Sequence, residues 1–252
     1  MLCKRVVACL DVRDGTVVKG VRFERLANAG DPAALAERYN AEGADEIVVL
    51  DVSATLEGRR ARARTIQAIA SNIFIPLVVG GGIRSLDDAA AALDAGADKV
   101  AINSAAAEDP NLIARLAARY GSQAVVVAID AAREGGAFAV RTRSGTRAAG
   151  RDAIAWAGEA VERGAGEILL TSVDRDGTAC GFDCELTAAV SRRVNVPVIA
   201  SGGAGEHAHF LDVFAAGADA ALAASLFHFS RSSIRSVKHY LRARGVPVRL
   251  PC

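Results

Sequence analysis

An internal repeat constrains the fold of this 252-residue chain more than any other feature of its sequence. A shift of 121 residues aligns the glycine pair Gly81 and Gly82 with Gly202 and Gly203. The match continues on both sides of the glycines, where Pro76 falls on Pro197, the Ala-Gly-Ala-Asp segment 95–98 on 216–219, and Ser104 on Ser225. The chain is therefore predicted to contain two related halves, roughly residues 1–122 and 123–252, built from the same structural units.

Short apolar runs alternate with helical patterns along the whole chain. Few of these runs alternate polar with apolar residues, which is typical of a parallel sheet buried on both faces. Asp31 and Pro32 open the first helix, and Gly43 ends it. Eight strands are predicted, at residues 5–10, 46–51, 77–79, 99–102, 124–129, 167–170, 198–200 and 220–223.

Eight strand–helix units indicate an α/β protein with a closed (β/α)8 TIM barrel. An open doubly wound sheet would need a topological switch point, and nothing in the chain marks one. The repeat divides eight units into four plus four, so we predict one domain, 1–252, made of two half-barrels. Between these units, we expect a mobile loop or hairpin after strand one and a hairpin-like insertion near residues 134–143.

The predicted helices include residues 109–119, 151–163 and 230–243.

Composition excludes several classes of partner. A net charge of +1 and a pI near 7.7 provide no basic field for nucleic acid. No apolar run approaches the ~18 residues of a membrane span, and no signal peptide is seen. Five irregularly spaced cysteines are typical of reduced thiols in the cytoplasm. Cys180 and Cys184 lack a second ligand pair, so neither a metal nor a cofactor is predicted, and His207 and His209 are expected to be exposed.

Active sites of (β/α)8 barrels form at the carboxyl ends of the strands, so the residues after each apolar run are the candidates. Asp11 follows strand one and Asp130 follows strand five, the equivalent place in the second half. A single aspartate there often only caps a turn, but two at equivalent positions favour an acid–base pair, with each role set by its environment. The full set is Asp11, Asp51, Gly81, Gly82, Asn103, Ser104, Asp130, Thr171, Gly202, Gly203 and Ser225.

The two glycine clusters indicate two anion sites. Each lies between a strand and a helix, where bare backbone N–H groups meet a helix N-terminus. Each is followed one unit later by a serine, Ser104 or Ser225. Two such cradles at one barrel mouth imply a substrate with a phosphate at each end. Lys19, in the loop after strand one, can fold over a bound anion, and the polar segment 174–178 is either a flexible loop beside the second cradle or a simple turn.

These motifs resemble one family over essentially the whole chain. The stretches are Ala-Cys-Leu-Asp-Val at 8–12, Val-Gly-Gly-Gly-Ile-Arg at 79–84, Ile-Leu-Leu-Thr-Ser-Val-Asp-Arg-Asp-Gly-Thr at 168–178 and Ala-Ser-Gly-Gly-Ala-Gly at 200–205. They are similar to the cyclase subunit of imidazole glycerol phosphate synthase, a lyase of histidine biosynthesis. The resemblance implies a barrel that combines ammonia with a ribulosyl-linked aminoimidazole carboxamide ribonucleotide bisphosphate. The products would be imidazole glycerol phosphate and aminoimidazole carboxamide ribonucleotide.

The resemblance also implies roles for individual residues and a partner. Asp11 and Asp130 would be the acid–base pair, and Lys19 would belong to a closing loop. A glutaminase subunit would dock at the N-terminal face of the barrel and pass ammonia through it. Gly82, Asn103 and Ser104 would contact one phosphate; Asp176, Gly177, Gly203 and Ser225 would surround the other; and Asp51, Ser144, Thr171 and Ser201 would line the middle.

Charged residues at the starts of four strands allow a check on that ammonia route. Arg5, Glu46, Lys99 and Glu167 begin strands one, two, four and six, at the floor of the barrel. Buried charges are costly unless they are paired, so four of alternating sign suggest a mutually neutralising ring. With the resemblance, this ring is interpreted as an ammonia gate; without it, an ordinary salt-bridge rim explains the pattern equally well.

Two alternatives stay open. The sister isomerase of the same pathway shares the barrel, the duplication, the two aspartates and the two phosphates, but it opens a sugar without ammonia. The charged floor and the Ala-Cys-Leu-Asp start favour the cyclase. A non-catalytic barrel that only binds phosphorylated metabolites is the other alternative, and Asp11 and Asp130 argue against it.

Overall fold

A computed structural model describes residues 2–21, 24–52, 54, 63–143 and 145–250 of the chain. The strands are β1 Arg5–Arg13, β2 Thr16–Val21, β3 Glu24–Gly30, β4 Glu46–Asp51, β5 Leu77–Gly80, β6 Lys99–Ile102, β7 Val125–Glu134, β8 Ala137–Thr142, β9 Arg147–Asp152, β10 Glu167–Ser172, β11 Val198–Ser201 and β12 Ala220–Ala223. The helices are α1 Pro32–Glu42, α2 Ala63–Ala70, α3 Leu86–Asp94, α4 Ser104–Glu108, α5 Asn111–Tyr120, α6 Ala153–Glu162, α7 Cys184–Arg193, α8 His207–Ala215, α9 Ser225–His228 and α10 Ile234–Ala243.

Eight of these strands form a closed parallel barrel. The order around the barrel is β1, β4, β5, β6, β7, β10, β11 and β12, and β12 pairs with β1 through Arg5 and Ala220. Helices connect successive barrel strands and cover the outside. The predicted (β/α)8 barrel is confirmed.

Successive residues of each barrel strand enter two different cores. Val7 and Cys9 belong to a cluster inside the barrel, whereas Val6, Ala8 and Leu10 pack outward with the helices. Side chains of a strand alternate between its faces, and both faces here are apolar. This explains why the strands appear as continuous apolar runs in the sequence.

Both β1 and β7 continue past the barrel rim into antiparallel hairpins. β1 pairs with β2 and β2 with β3; β7 pairs with β8 and β8 with β9. The second insertion is larger than predicted, because it extends to Asp152. The helix predicted from Arg151 begins at Ala153 instead, since Asp152 caps it by accepting a hydrogen bond from the Ala155 N–H at 2.8 Å.

Two short helices were not predicted from the sequence. A single residue separates α4 from the end of β6 and α9 from the end of β12, at equivalent places in the two halves. The helix predicted at 109–119 begins at Asn111, and the one predicted from Ser230 begins at Ile234, where Ser233 caps it by accepting from the Ser236 N–H. Four or five residues carry too weak a periodic pattern to be recognised as a helix.

The strand register agrees with the internal repeat. Asp11 lies opposite Leu50 across β1 and β4, and Asp130 lies opposite Thr171 across β7 and β10. Leu50 and Thr171 are themselves 121 positions apart in the sequence. The two aspartates therefore occupy equivalent places, while the division of one domain into two half-barrels stays a prediction.

His207 and His209 are half-buried, so the prediction that they are exposed was wrong. His207 Nε2 lies 2.6 Å from Ser232 Oγ, and His209 Nδ1 accepts from the Gly205 N–H at 3.1 Å. Both rings pack at the first turn of α8, where they satisfy neighbouring polar groups.

Within the described ranges, no helix is long and apolar enough to cross a bilayer. The same residues contain no cluster of three or more His, Cys, Asp or Glu side chains that could hold a metal ion. No disulfide bond joins the cysteines of the described part, Cys3, Cys9, Cys180 and Cys184.

Candidate active site

A cavity of about 340 Å³ opens at the carboxyl ends of the barrel strands. Parallel strands bring their C-terminal residues to one rim, so side chains far apart in sequence meet there. Lys19 lies in β2 but its side chain is outside the described part of the structure, as is Ser144. The other predicted catalytic and substrate-binding residues all line the cavity: Asp11, Asp51, Gly82, Asn103, Ser104, Asp130, Thr171, Asp176, Gly177, Ser201, Gly203 and Ser225.

Asp130 is a buried carboxyl group in the wall of this cavity. Its Oδ2 accepts a hydrogen bond from Asn103 Nδ2 at 2.9 Å. Burial raises the pKa of Asp130 to about 7, the Asn103 hydrogen bond opposes this rise, and the nearby Asp176 and Asp11 carboxylates add to it. A carboxyl group with such a pKa can take up or release a proton at neutral pH.

Asp11 is buried at the equivalent end of β1. The Cys9 thiol donates to its Oδ1 at 3.5 Å, and Cys9 also lines the cavity. Cys9 was not predicted from the sequence, although its spacing of two residues from Asp11 on one strand places both side chains on the same face. Asp51 plays a partly structural role, because its Oδ1 accepts from the Ala54 N–H at 3.1 Å.

The two glycine turns have matching backbone conformations. Gly81 and Gly82 have φ of 88° and 73°, and Gly202 and Gly203 have φ of 92° and 102°. A Cβ at Gly81 would lie 2.2 Å from the carbonyl oxygen of Asp51, and a Cβ at Gly202 would lie 2.7 Å from that of Ser172. Each turn therefore needs glycine for its left-handed φ and for close approach to the end of a neighbouring strand.

The four predicted floor charges meet as a closed ring. The guanidinium nitrogens of Arg5 lie 2.5 Å from a carboxylate oxygen of Glu46 and 3.0 Å from one of Glu167. Lys99 Nζ lies 2.9 Å from a carboxylate oxygen of Glu46 and 3.0 Å from one of Glu167. Burial raises the pKa of Glu46, while Arg5 and Lys99 oppose that rise. Between this ring and the cavity lies the apolar interior cluster, which includes Val7, Val48, Val78, Val126 and Ile199.

Three further charged residues line the cavity and were missed in the sequence analysis. Arg84 lies two residues after Gly82, Glu108 ends α4, and Arg143 follows β8. The position of Arg84 beside the glycines is a signal that could have identified it. Arg143 directly precedes Ser144, which the resemblance implies for the middle of the site, and this position is the signal that could have identified it.

The fold and the cavity define the chain as a member of the (β/α)8-barrel enzymes, whose active sites lie at this end of the barrel. The family model described as "Histidine biosynthesis protein" matches residues 5–233. The chain belongs to this histidine biosynthesis protein family.

Curated relatives match the chain over its full length. A protein of Acidobacterium capsulatum is 60% identical over 253 residues, covering 100% of both chains. A protein of Metallosphaera sedula is 56% identical, covering 99% of this chain and 100% of its own, and one of Dehalococcoides mccartyi is 55% identical, covering 99% of each. All three bear the name imidazole glycerol phosphate synthase subunit HisF.

Proposed function

We propose that this chain is the cyclase subunit of imidazole glycerol phosphate synthase and acts in the cytoplasm. It uses ammonia to convert the ribulosyl-linked aminoimidazole carboxamide ribonucleotide bisphosphate into imidazole glycerol phosphate and aminoimidazole carboxamide ribonucleotide. The observation that carries the proposal is the pair of equivalent buried aspartates, Asp11 and Asp130, in a cavity that also holds two matching glycine turns.

The two glycine turns are proposed to hold the two phosphates. Backbone N–H groups in left-handed turns and serine hydroxyl groups are donors suited to phosphate oxygens. In this arrangement Lys19 closes over the bound substrate. Gly82, Asn103 and Ser104 bind one phosphate; Asp176, Gly177, Gly203 and Ser225 bind the other; and Asp51, Ser144, Thr171 and Ser201 line the space between.

Asp11 and Asp130 are proposed to move protons at the centre of the elongated substrate. The cyclisation requires protons to be removed from the attacking nitrogen and supplied to the leaving group, which one carboxylate and one carboxylic acid can do together. The pKa of Asp130 near 7 makes both of its protonation states accessible at neutral pH. The Asn103 hydrogen bond holds this carboxyl group in place through the exchange.

The activity is tested by incubating the purified chain with the bisphosphate substrate and ammonium at alkaline pH. Release of aminoimidazole carboxamide ribonucleotide is the expected result. If the chain instead isomerises the unopened precursor and ignores ammonium, it is the sister isomerase. If neither product forms, the chain only binds phosphorylated metabolites.

The N-terminal face of the barrel is proposed to bind a glutaminase subunit. Phe74 and Leu2 precede β5 and β1 at this face, and each is 94% exposed. Phe74 also borders a second cavity of about 380 Å³ that includes Ile73, Pro76 and Asp98. An exposed aromatic ring at the edge of a surface hollow is a typical anchor for a protein partner.

Replacing Phe74 by serine is expected to weaken binding of the glutaminase by about tenfold or more, because the ring is lost from the interface. Titration calorimetry with the purified glutaminase measures the change. Phe229→Ser is the matched control, since Phe229 is 44% exposed but follows α9 at the other end of the barrel. Equal affinities for both variants would place the partner elsewhere.

The charged ring at the floor is proposed to gate ammonia from that partner. Lys99→Ala is expected to lower glutamine-dependent turnover at least about fivefold more than turnover with added ammonium, because free ammonia can also reach the cavity from the open mouth. Lys4→Ala is the control, since Lys4 pairs with the half-exposed Asp219 and lies outside the ring. Equal losses in the two assays would leave the ring with a structural role only.

A further inference from the structure

The hairpin formed by β8 and β9 reaches the loop after β6 at the cavity mouth. Arg143 follows β8, and its backbone N–H donates to Ser104 Oγ at 3.1 Å. Ser104 begins α4 and lines the cavity. The contact joins an insertion of the second half of the chain to the phosphate cradle proposed for the first half.

The backbone of Arg143 is held in an unfavourable conformation. Its φ is 53°, in the left-handed region that residues other than glycine, asparagine and aspartate seldom adopt. Such a conformation persists only where the surrounding structure requires it, and it often occurs where a side chain has a function. Arg143 is exposed and is one of the residues that line the cavity.

The charges of the cavity wall indicate that Arg143 can bind an anion. Among the described wall residues, the basic side chains are Arg84 and Arg143, and the guanidinium of Arg84 lies 3.8 Å from Asp88. Within the same part of the structure, the guanidinium of Arg143 forms no ion pair. The wall carries more acidic than basic side chains, and a bound bisphosphate would add further negative charge. A guanidinium group in the wall can offset that charge. The carboxyl groups of the wall are those of Asp11, Asp51, Glu108, Asp130 and Asp176.

In the hydrogen bond between Arg143 and Ser104, the serine hydroxyl group is the acceptor. A serine hydroxyl group has one proton to donate and two lone pairs to accept with. Because Ser104 Oγ accepts from the Arg143 N–H, its own proton stays available for an anion in the cavity. The same residue thus orients the serine through its backbone and offers a guanidinium through its side chain.

We infer that Arg143 is a substrate-binding residue whose guanidinium contacts the phosphate held at Ser104. This inference rests on the proposed function for the identity of the substrate. The ligand chemistry is a phosphate monoester, which a guanidinium binds through two parallel hydrogen bonds.

Arg143→Gln tests the inference through steady-state kinetics with the bisphosphate and ammonium. We expect KM to rise about 10- to 100-fold, because a charge-assisted contact to the phosphate is lost, and kcat to change less than about threefold. Arg143→Lys should recover part of the loss, since it restores a point charge without the paired hydrogen bonds. Arg147→Gln is the matched control, because Arg147 is exposed on the same hairpin and does not line the cavity.

A binding measurement separates this inference from the proposed function. Titration of the wild-type chain and of both glutamine variants with inorganic phosphate needs no turnover. Weaker phosphate binding in Arg143→Gln alone supports the contact, even if the wild type shows no cyclase activity. Equal binding in Arg143→Gln and Arg147→Gln, or a loss confined to kcat, overturns the inference.

Discussion

Replacing Asp130 by asparagine is expected to lower kcat by about 10²–10⁴-fold, the range for loss of a general acid or base. Substrate affinity should stay within a fewfold of the wild type, because an amide oxygen can still accept from Asn103. Single-turnover kinetics with ammonium and calorimetric binding of the bisphosphate measure the two quantities. Wild-type turnover in this variant would overturn the assignment of Asp130.

Asp152→Asn provides a control with the same chemical change. Asp152 is exposed and caps α6 by accepting from the Ala155 N–H, a role that asparagine performs equally well. Turnover and stability should both remain within the error of the wild type. A loss in this variant would show that the effect at Asp130 is not specific to the cavity.

The same Asp130 variant should change how stability depends on pH. The folded-state pKa of about 7 lies above the ~3.9 of an unfolded aspartate, so the native state holds the extra proton between these values. The contribution of Asp130 to the free energy of unfolding therefore falls as pH rises from about 4 to 7, by roughly 4 kcal/mol. Above pH 7 Asp130→Asn should be the more stable protein. Urea unfolding at pH 5 and pH 8 measures this, and an equal difference at both values would contradict it.

Replacing Gly203 by alanine is the second change with a large expected effect. An added Cβ would lie 2.1 Å from the carbonyl oxygen of Gly181, and φ at this position is 102°. Steric overlap with backbone atoms forces the turn to move, so we expect a loss of more than about 3 kcal/mol of stability. Binding of the bisphosphate should weaken at least about tenfold, because the displaced N–H groups no longer meet the phosphate. Urea unfolding and calorimetry measure the two losses.

Gly136→Ala separates steric overlap from backbone strain. Gly136 has a similar φ of 90°, but an added Cβ meets nothing within 4 Å. This variant should lose only the roughly 1–2 kcal/mol of the left-handed conformation and keep its affinity for the bisphosphate. If Gly203→Ala were no worse than Gly136→Ala, the close approach at Gly203 would have no energetic role.

Local patterns explain the parts of the fold that were predicted correctly. Glu46–Asp51 and Lys99–Ile102 have the bounds expected from their apolar runs, and α1 begins and ends at the expected caps, Asp31 and Gly43. These features depend on residues only a few positions apart, so the local sequence pattern is enough to predict them. The hairpin strand β9 was missed because its residues are mostly exposed and follow no apolar alternation.

The residues of the candidate site also fall into those that local patterns predict and those that only the folded chain brings to the cavity. Asp11, Asp130 and the glycine pairs stand out because each follows a strand and has an equivalent in the other half of the chain. Arg143 was missed because its place in the cavity depends on the path of a hairpin, whereas Cys9 was missed although its spacing from Asp11 on β1 places both side chains on one face. The positions of the Lys19 side chain and of Ser144 stay predictions.

By itself, the sequence determined the number and type of the units, the repeat that pairs Asp11 with Asp130, and the four charges at the strand starts. Only the tertiary structure decided how strongly these groups act on one another. The ring distances and the pKa of Asp130 arise from barrel closure, which brings β12 back to β1 and buries Asp130 near Asp11 and Asp176. Burial and charge interactions depend on separations of a few ångströms in space, and the spacing of residues along the chain does not determine those separations.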